Sequence, residues 1–223
     1  MGAFEDAETA YRMATAAKRV RNYALAESEY RRSIRLNPGH AHSYKDLGAL
    51  AYSRSLFHDA RRLLEEAINI DPSIADAHMY LGLVLGELKD DRGAQAQLEM
   101  AIQLSEDPAV CLAAYGNYLG EHRKWAEAES AFKKALTKDA RCILALRDYA
   151  RLLAALDRDE ESEFLFKKVL DLDPDDAVTH YRYGRFLACF DNRRAEAEDR
   201  LLRALTLDPT LDLARKELEE LRG

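Results

Sequence analysis

Residues 41–72, AHSYKDLGALAYSRSLFHDARRLLEEAINIDP, decide the fold. Two apolar patterns of helical period lie inside this stretch. The first carries Tyr44, Leu47, Gly48 and Ala51, and the second carries Ala60, Leu64, Ala67 and Ile68. Apolar residues at i, i+3, i+4 and i+7 make one stripe along a helix. Gly48, Ala60 and Ala67 interrupt the stripes with small side chains, so another helix can approach closely there. Residues 54–58 separate the two patterns. Asp71-Pro72 closes the unit, because the residue before a proline is pushed out of the α region. The stretch reads as helix, turn, helix.

The rest of the chain repeats it. All five prolines follow Asp or Asn: Asn37-Pro38, Asp71-Pro72, Asp107-Pro108, Asp173-Pro174 and Asp208-Pro209. Pro38 and Pro72 are 34 residues apart, Pro72 and Pro174 three times that, and Pro174 and Pro209 are 35 apart. Gly48, Gly82 and Gly116 are each 34 apart, with Gly184 a further 68 on. Two residue types thus give one period. Six units follow in register, near 7–40, 41–74, 75–108, 109–142, 143–176 and 177–209. The eighth place holds Ala14, Gly48, Gly82, Gly116, Ala150 and Gly184, and the twenty-fourth holds Tyr30, Leu64, Leu98, Phe132, Phe166 and Leu201. This alternation of small and large residues suits close helix packing.

In period and in these places the chain resembles the tetratricopeptide repeat family, whose unit is a 34-residue helix–turn–helix. The resemblance spans about residues 7–209. It implies an all-α, right-handed superhelical solenoid of six tetratricopeptide repeats, read here as a single domain over 1–223. Three departures stand out. Glu106 and Ala140 occupy places where proline is expected, one extra residue falls within 191–194, and repeats 4 to 6 carry Tyr115, Tyr149 and Tyr183 at the seventh place. Beyond Pro209, Leu211, Ala214, Leu218 and Leu221 form a one-sided stripe. That predicts a capping helix over 210–222, which a solenoid end needs to cover its apolar surface.

Composition bounds the function. With 33 basic and 40 acidic residues the net charge is −7, which argues against a nucleic-acid or anionic-membrane surface. No apolar run approaches the roughly 18 residues of a membrane span. The first ten residues lack the pattern of a secretory signal. Asp6 stands where N-myristoylation wants Ser or Thr. Cys111, Cys142 and Cys189 are an odd number without metal-ligand spacing. They read as reduced thiols, pointing to a cytoplasmic protein.

No constellation points to catalysis, a metal or a cofactor. There is no glycine-rich phosphate loop, no His-Glu-x-x-His and no Cys-x-x-Cys. His78 and His180 share the fourth place of two repeats, a packing position. Trp125, at the turn of repeat 4, is expected in the core. The acidic runs at 157–163 and 217–220 read as solvated faces.

The family resemblance instead implies binding, with the first helix of each repeat lining a concave groove. Its fifth, sixth and ninth places here hold six basic and two acidic residues, inside an acidic chain. The candidate contact residues are Lys45, Met79, Tyr80, Leu83 and Asn117, then Arg147, Arg151, Tyr181, Arg182 and Arg185. Arginine grips carboxylate or phosphate through two parallel hydrogen bonds, so the expected ligand carries acidic and apolar residues. The Lys/Asn pairing by which family cochaperones grip a terminal carboxylate is missing, since Lys45 stands with Ala49 and Asn117 with Ala113. The reading is a non-catalytic scaffold or adaptor for a protein or peptide. Its rivals are a structural subunit of a larger or self-associated assembly and, further off, the repeat region of an enzyme.

Overall fold

The computed structural model describes the backbone of residues 2–223 and the side chains of residues 6–223. Among them lie thirteen α-helices and no strand. They are α1 (Gly2–Arg19), α2 (Tyr23–Leu36), α3 (Ala41–Ser53), α4 (Phe57–Ile70), α5 (Ala75–Glu87), α6 (Asp91–Leu104) and α7 (Ala109–Glu121). Then come α8 (Trp125–Lys138), α9 (Ile143–Ala155), α10 (Asp159–Leu172), α11 (Ala177–Ala188), α12 (Arg194–Leu207) and α13 (Asp212–Arg222). The helices fall into two compact units, Met1–Tyr118 and Leu119–Gly223. In the first, α1 packs on α2, α3 on α4 and α5 on α6; in the second, α9 packs on α10 and α11 on α12. Helix α1 begins ahead of the repeat register, which starts near Ala7.

The eighth-place glycines explain the pairing. A Cβ on Gly82 would stand 2.6 Å from Leu98 Cγ and 3.0 Å from the Ala94 carbonyl oxygen. At Gly48 it would meet Leu64 Cγ at 2.7 Å, and at Gly184 Leu201 Cγ at 2.9 Å. Those leucines are fully buried. Helix backbones therefore approach so closely that only hydrogen fits, and the twenty-fourth-place side chain fills the notch.

The Asp/Asn-Pro pairs end helices, and the structure gives the mechanism. The Asn37, Asp71, Asp173 and Asp208 backbones are extended, with φ from −138° to −141°. Each side chain accepts a hydrogen bond from the amide two residues on, at 2.9 to 3.1 Å. Such Asx turns are the reason Asp and Asn start turns so readily. Asp139 does the same without a proline, accepting from the Arg141 amide at 2.8 Å. Pro108 lies at a start instead, its carbonyl accepting the first hydrogen bond of α7 from Leu112 at 2.8 Å.

The turns inside the helix pairs hold a second repeat signal. Arg21, Ser55, Lys89, Arg123 and Asp157 have positive φ, between 56° and 64°. They are spaced by 34 residues, and all are non-glycine residues in the left-handed region, a conformation that costs free energy for residues with a Cβ. In repeat 6 that turn is rebuilt. The inserted residue is absorbed by a 3-10 turn over Asp191–Arg193.

The C-terminal stripe is a helix, as expected. On α13, Ala214 and Leu218 are buried against Tyr181, Leu201 and Ala204. Two other expectations change. Trp125 is 37% exposed at the start of α8, because its place falls outside the stripe that α8 turns inward. Glu217 is not a free surface carboxylate: its side chain is 27% exposed and pairs with Arg185 at 3.2 Å.

Candidate functional site

The first helix of each pair positions the candidate residues. In the first unit, Lys45 on α3 lies between Asp46 at 3.2 Å and Asp76 at 3.8 Å. Asp46 also accepts from the Tyr11 hydroxyl at 2.9 Å and from Lys18 at 3.4 Å. Burial, and then the Asp46 carboxylate, push the Tyr11 phenol well above its ordinary range, so it stays a neutral donor. On α5, Met79 is buried, while Tyr80 and Leu83 are half-buried. Burial also raises the Tyr80 phenol, helped by Asp76 and Asp46. Its ring lies 6.3 Å from that of Tyr52. Asn117 on α7 is half-buried.

In the second unit the arginines are tied between successive first helices. Arg147 on α9 pairs with Asp176, the N-cap of α11, at 3.1 Å. Arg182 on α11 pairs back to Asp148 on α9, which is buried. Arg185 pairs with Glu217 on α13, donates to the Tyr181 hydroxyl at 3.4 Å and lies 5.9 Å from the centre of the Tyr181 ring. The Tyr181 bond, then the Glu217 charge, hold the Arg185 guanidinium above its ordinary range. Arg151 is exposed on α9. The cationic face read from the sequence is thus partly spent on joining repeats.

Arg151, Arg182 and Arg185 still come together, around a cavity of about 550 Å³ between the C-terminal ends of α9 and α11. Phe166, Phe186 and Phe190 line it as well, together with Asp157 and Asp159. Sequence reasoning missed the two phenylalanines of α11's end. The available signal was that Phe190 stands where Arg54, Leu88, His122 and Leu156 stand in repeats 2 to 5.

Behind the seventh-place tyrosines lies a network that repeats once. Tyr149 donates to Glu129 at 2.8 Å, and Glu129 also holds Arg158 at 2.9 Å and Lys133 at 2.8 Å. One repeat on, Tyr183 donates to Glu163 at 2.7 Å, which holds Arg193 at 2.7 Å and Lys167 at 2.8 Å. The Lys133, Arg158 and Tyr149 hydrogen bonds hold the Glu129 carboxyl down at about 2. Phe132 stacks on Tyr149 and Phe166 on Tyr183, with ring centres 5.7 and 5.5 Å apart. Among the described residues no cluster of three or more His, Cys, Asp or Glu could hold a metal ion. No described helix is long and apolar enough to cross a membrane.

One tetratricopeptide repeat family model matches residues 121–181, and another matches residues 11–57 and 46–108. The chain belongs to the tetratricopeptide repeat family. Solved tetratricopeptide structures share its fold. TTC0263 of Thermus thermophilus, a thermophilic member, superposes with a TM-score of 0.73 at 19% identity, over 81% of this chain and 98% of its own. A chain of the APC/C hetero-tetramer Cut9-Hcn1 gives 0.77 at 15% identity, over 98% of this chain and 43% of its own. YrrB, described as a tetratricopeptide protein with an unusual peptide-binding site, gives 0.51 at 21% identity, over 85% of this chain and 97% of its own. No curated protein sequence matches the chain. The tetratricopeptide fold is that of protein–protein interaction scaffolds.

Proposed function

We propose that this protein is a non-catalytic scaffold that holds a peptide segment, or one helix of a partner, on the first-helix faces of its repeats. The observation that carries the reading is the convergence of Arg151, Arg182 and Arg185 on an apolar cavity in the second unit. Cavities of roughly 300–1,000 Å³ lined by aromatic groups, with a few polar groups to fix orientation, are the usual form of a ligand site. The peptide-binding site ascribed to YrrB supports the same reading. In the first unit, Lys45, Tyr80, Leu83 and Asn117 offer a more neutral surface, with Met79 beneath it as packing. The preferred segment carries apolar anchors and Asp, Glu or phosphorylated residues, and the protein acts in the cytoplasm.

A structural-subunit reading has its own observation. Met13, Val20, Tyr23 and Leu25 expose apolar surface on α1, α2 and the turn between them, with Val20, in the turn, at 74%. The two readings separate in an affinity capture with the wild-type chain and the Arg151→Glu/Arg185→Glu double variant, analysed by mass spectrometry. The scaffold reading expects captured partners to be lost from the variant, at a nearly unchanged melting midpoint. Equal capture by both proteins refutes it and leaves the α1–α2 surface as the interface.

A further inference from the structure

The cavity of the second unit gathers three departures from the repeat. Phe186 and Phe190 stand at the tenth and fourteenth places of repeat 6, where repeat 5 has Leu152 and Leu156. The left-handed turn residue of the five earlier repeats gives way to the 3-10 turn Asp191–Arg193, directly after Phe190. Cys189, exposed, opens onto the same cavity, whereas Cys111 and Cys142 are buried. Both charges line the cavity: Arg151, Arg182 and Arg185 on α9 and α11, and Asp157 and Asp159 where α9 gives way to α10.

This combination of aromatic and charged lining selects an occupant. An aromatic ring fits the phenylalanine-lined floor by offset or edge-to-face packing. Arg182 and Arg185 each keep guanidinium N–H groups beyond those used on Asp148, Glu217 and Tyr181, since a guanidinium has five. A carboxylate beside the ring meets those donors, and the lining carboxylates of Asp157 and Asp159 can accept backbone amides of the same segment. The 550 Å³ available exceeds what one side chain needs, so the flanking backbone enters too.

We infer that this cavity is the anchor subsite for an extended peptide carrying one aromatic residue followed within two positions by Asp or Glu. The inference rests on the scaffold reading above and names the partner's chemistry. Cys189 supplies an internal reporter, because an occupant must cover its thiol.

The test selects a displayed library of random octapeptides on the full chain. It then measures the rate of Cys189 alkylation by iodoacetamide with each enriched peptide present. The inference expects aromatic–acidic pairs among the enriched sequences, and alkylation slowed about tenfold or more by a saturating peptide. Ala154→Trp, which fills the cavity while keeping every arginine and the thiol, should weaken binding of those peptides about tenfold or more. Circular dichroism of this variant and its unchanged Cys111 and Cys142 protection confirm folding. Enriched peptides that leave Cys189 alkylation unchanged, or that lack the aromatic–acidic pair, overturn the subsite while sparing the scaffold reading. A library that enriches nothing on the folded chain overturns the subsite, and the affinity capture with the Arg151→Glu/Arg185→Glu variant decides the scaffold reading separately.

Discussion

Two glycines of similar burial should respond to alanine in opposite directions. Gly82 lies within α5, and a Cβ there would stand 2.6 Å from Leu98 Cγ and 3.0 Å from a backbone carbonyl. Neither atom can swing away: Leu98 is fully buried and the carbonyl belongs to α6. Gly120, in α7, would meet Leu152 Cδ1 at 3.8 Å and Ala128 Cβ at 4.0 Å, ordinary contact distances. Alanine gains about 0.8–1.0 kcal/mol over glycine in a helix interior. Overpacking a filled core costs about 1–3 kcal/mol. Gly82→Ala is therefore destabilised by a net of about 1 kcal/mol, while Gly120→Ala gains up to about 1 kcal/mol. Chains of this size shift by about 2–4 °C per kcal/mol, so the two midpoints should separate by about 4–8 °C in a thermal melt followed by circular dichroism. Gly48→Ala and Gly184→Ala should fall with Gly82→Ala. If Gly82→Ala and Gly120→Ala raise the midpoint equally, the helices do not meet at the eighth place and the packing register is wrong.

Three further outcomes follow from the same geometry. Replacing Lys89 and Arg123 by glycine removes two left-handed Cβ clashes and should stabilise by about 0.5–1 kcal/mol each, read from the same melts; a loss at both sites contradicts the positive-φ turns. Glu129 has a folded pKa near 2, below its unfolded value of about 4.3, so its contribution is full above that value and fades as pH falls toward 2. Wild type should therefore lose more stability between pH 6 and pH 3 than Glu129→Gln/Glu163→Gln, and parallel curves would show that the repeated network contributes nothing. Deleting residues 210–223 uncovers Leu201, Ala204 and Tyr181 and should lower the midpoint and promote association in light scattering; an unchanged, monomeric protein would mark α13 as dispensable.

The helix pairs were legible because their cause is periodic. Glycine against leucine, and Asp or Asn before proline, act locally and recur every 34 residues, so a single chain displays them. The left-handed turns recur just as regularly, yet Arg21, Lys89 and Arg123 carry no turn signal. There the fold imposes the conformation against local preference. The candidate site was read as a set of places on first helices, and Tyr80, Leu83, Arg151, Arg182 and Arg185 lie on the first helices α5, α9 and α11. The pairing of Lys45 with Asp76, and of Arg182 with Asp148, was not legible. Whether a cation is spent on a neighbouring helix depends on the distance between repeats, which composition does not encode. The seventh-place tyrosines stood out in the sequence as a departure, but their partners in repeats 5 and 6, Glu129 and Glu163, did not.

The central claim is that partners dock on first helices rather than on second helices. A photoreactive benzophenone side chain placed singly at His42 on α3, Ala188 on α11, Met100 on α6, Phe164 on α10 or Leu202 on α12 tests it directly. With a library-selected peptide at saturation, the account predicts peptide cross-links from the His42 or Ala188 positions and none from the other three. Cross-links confined to Met100, Phe164 or Leu202 would contradict it.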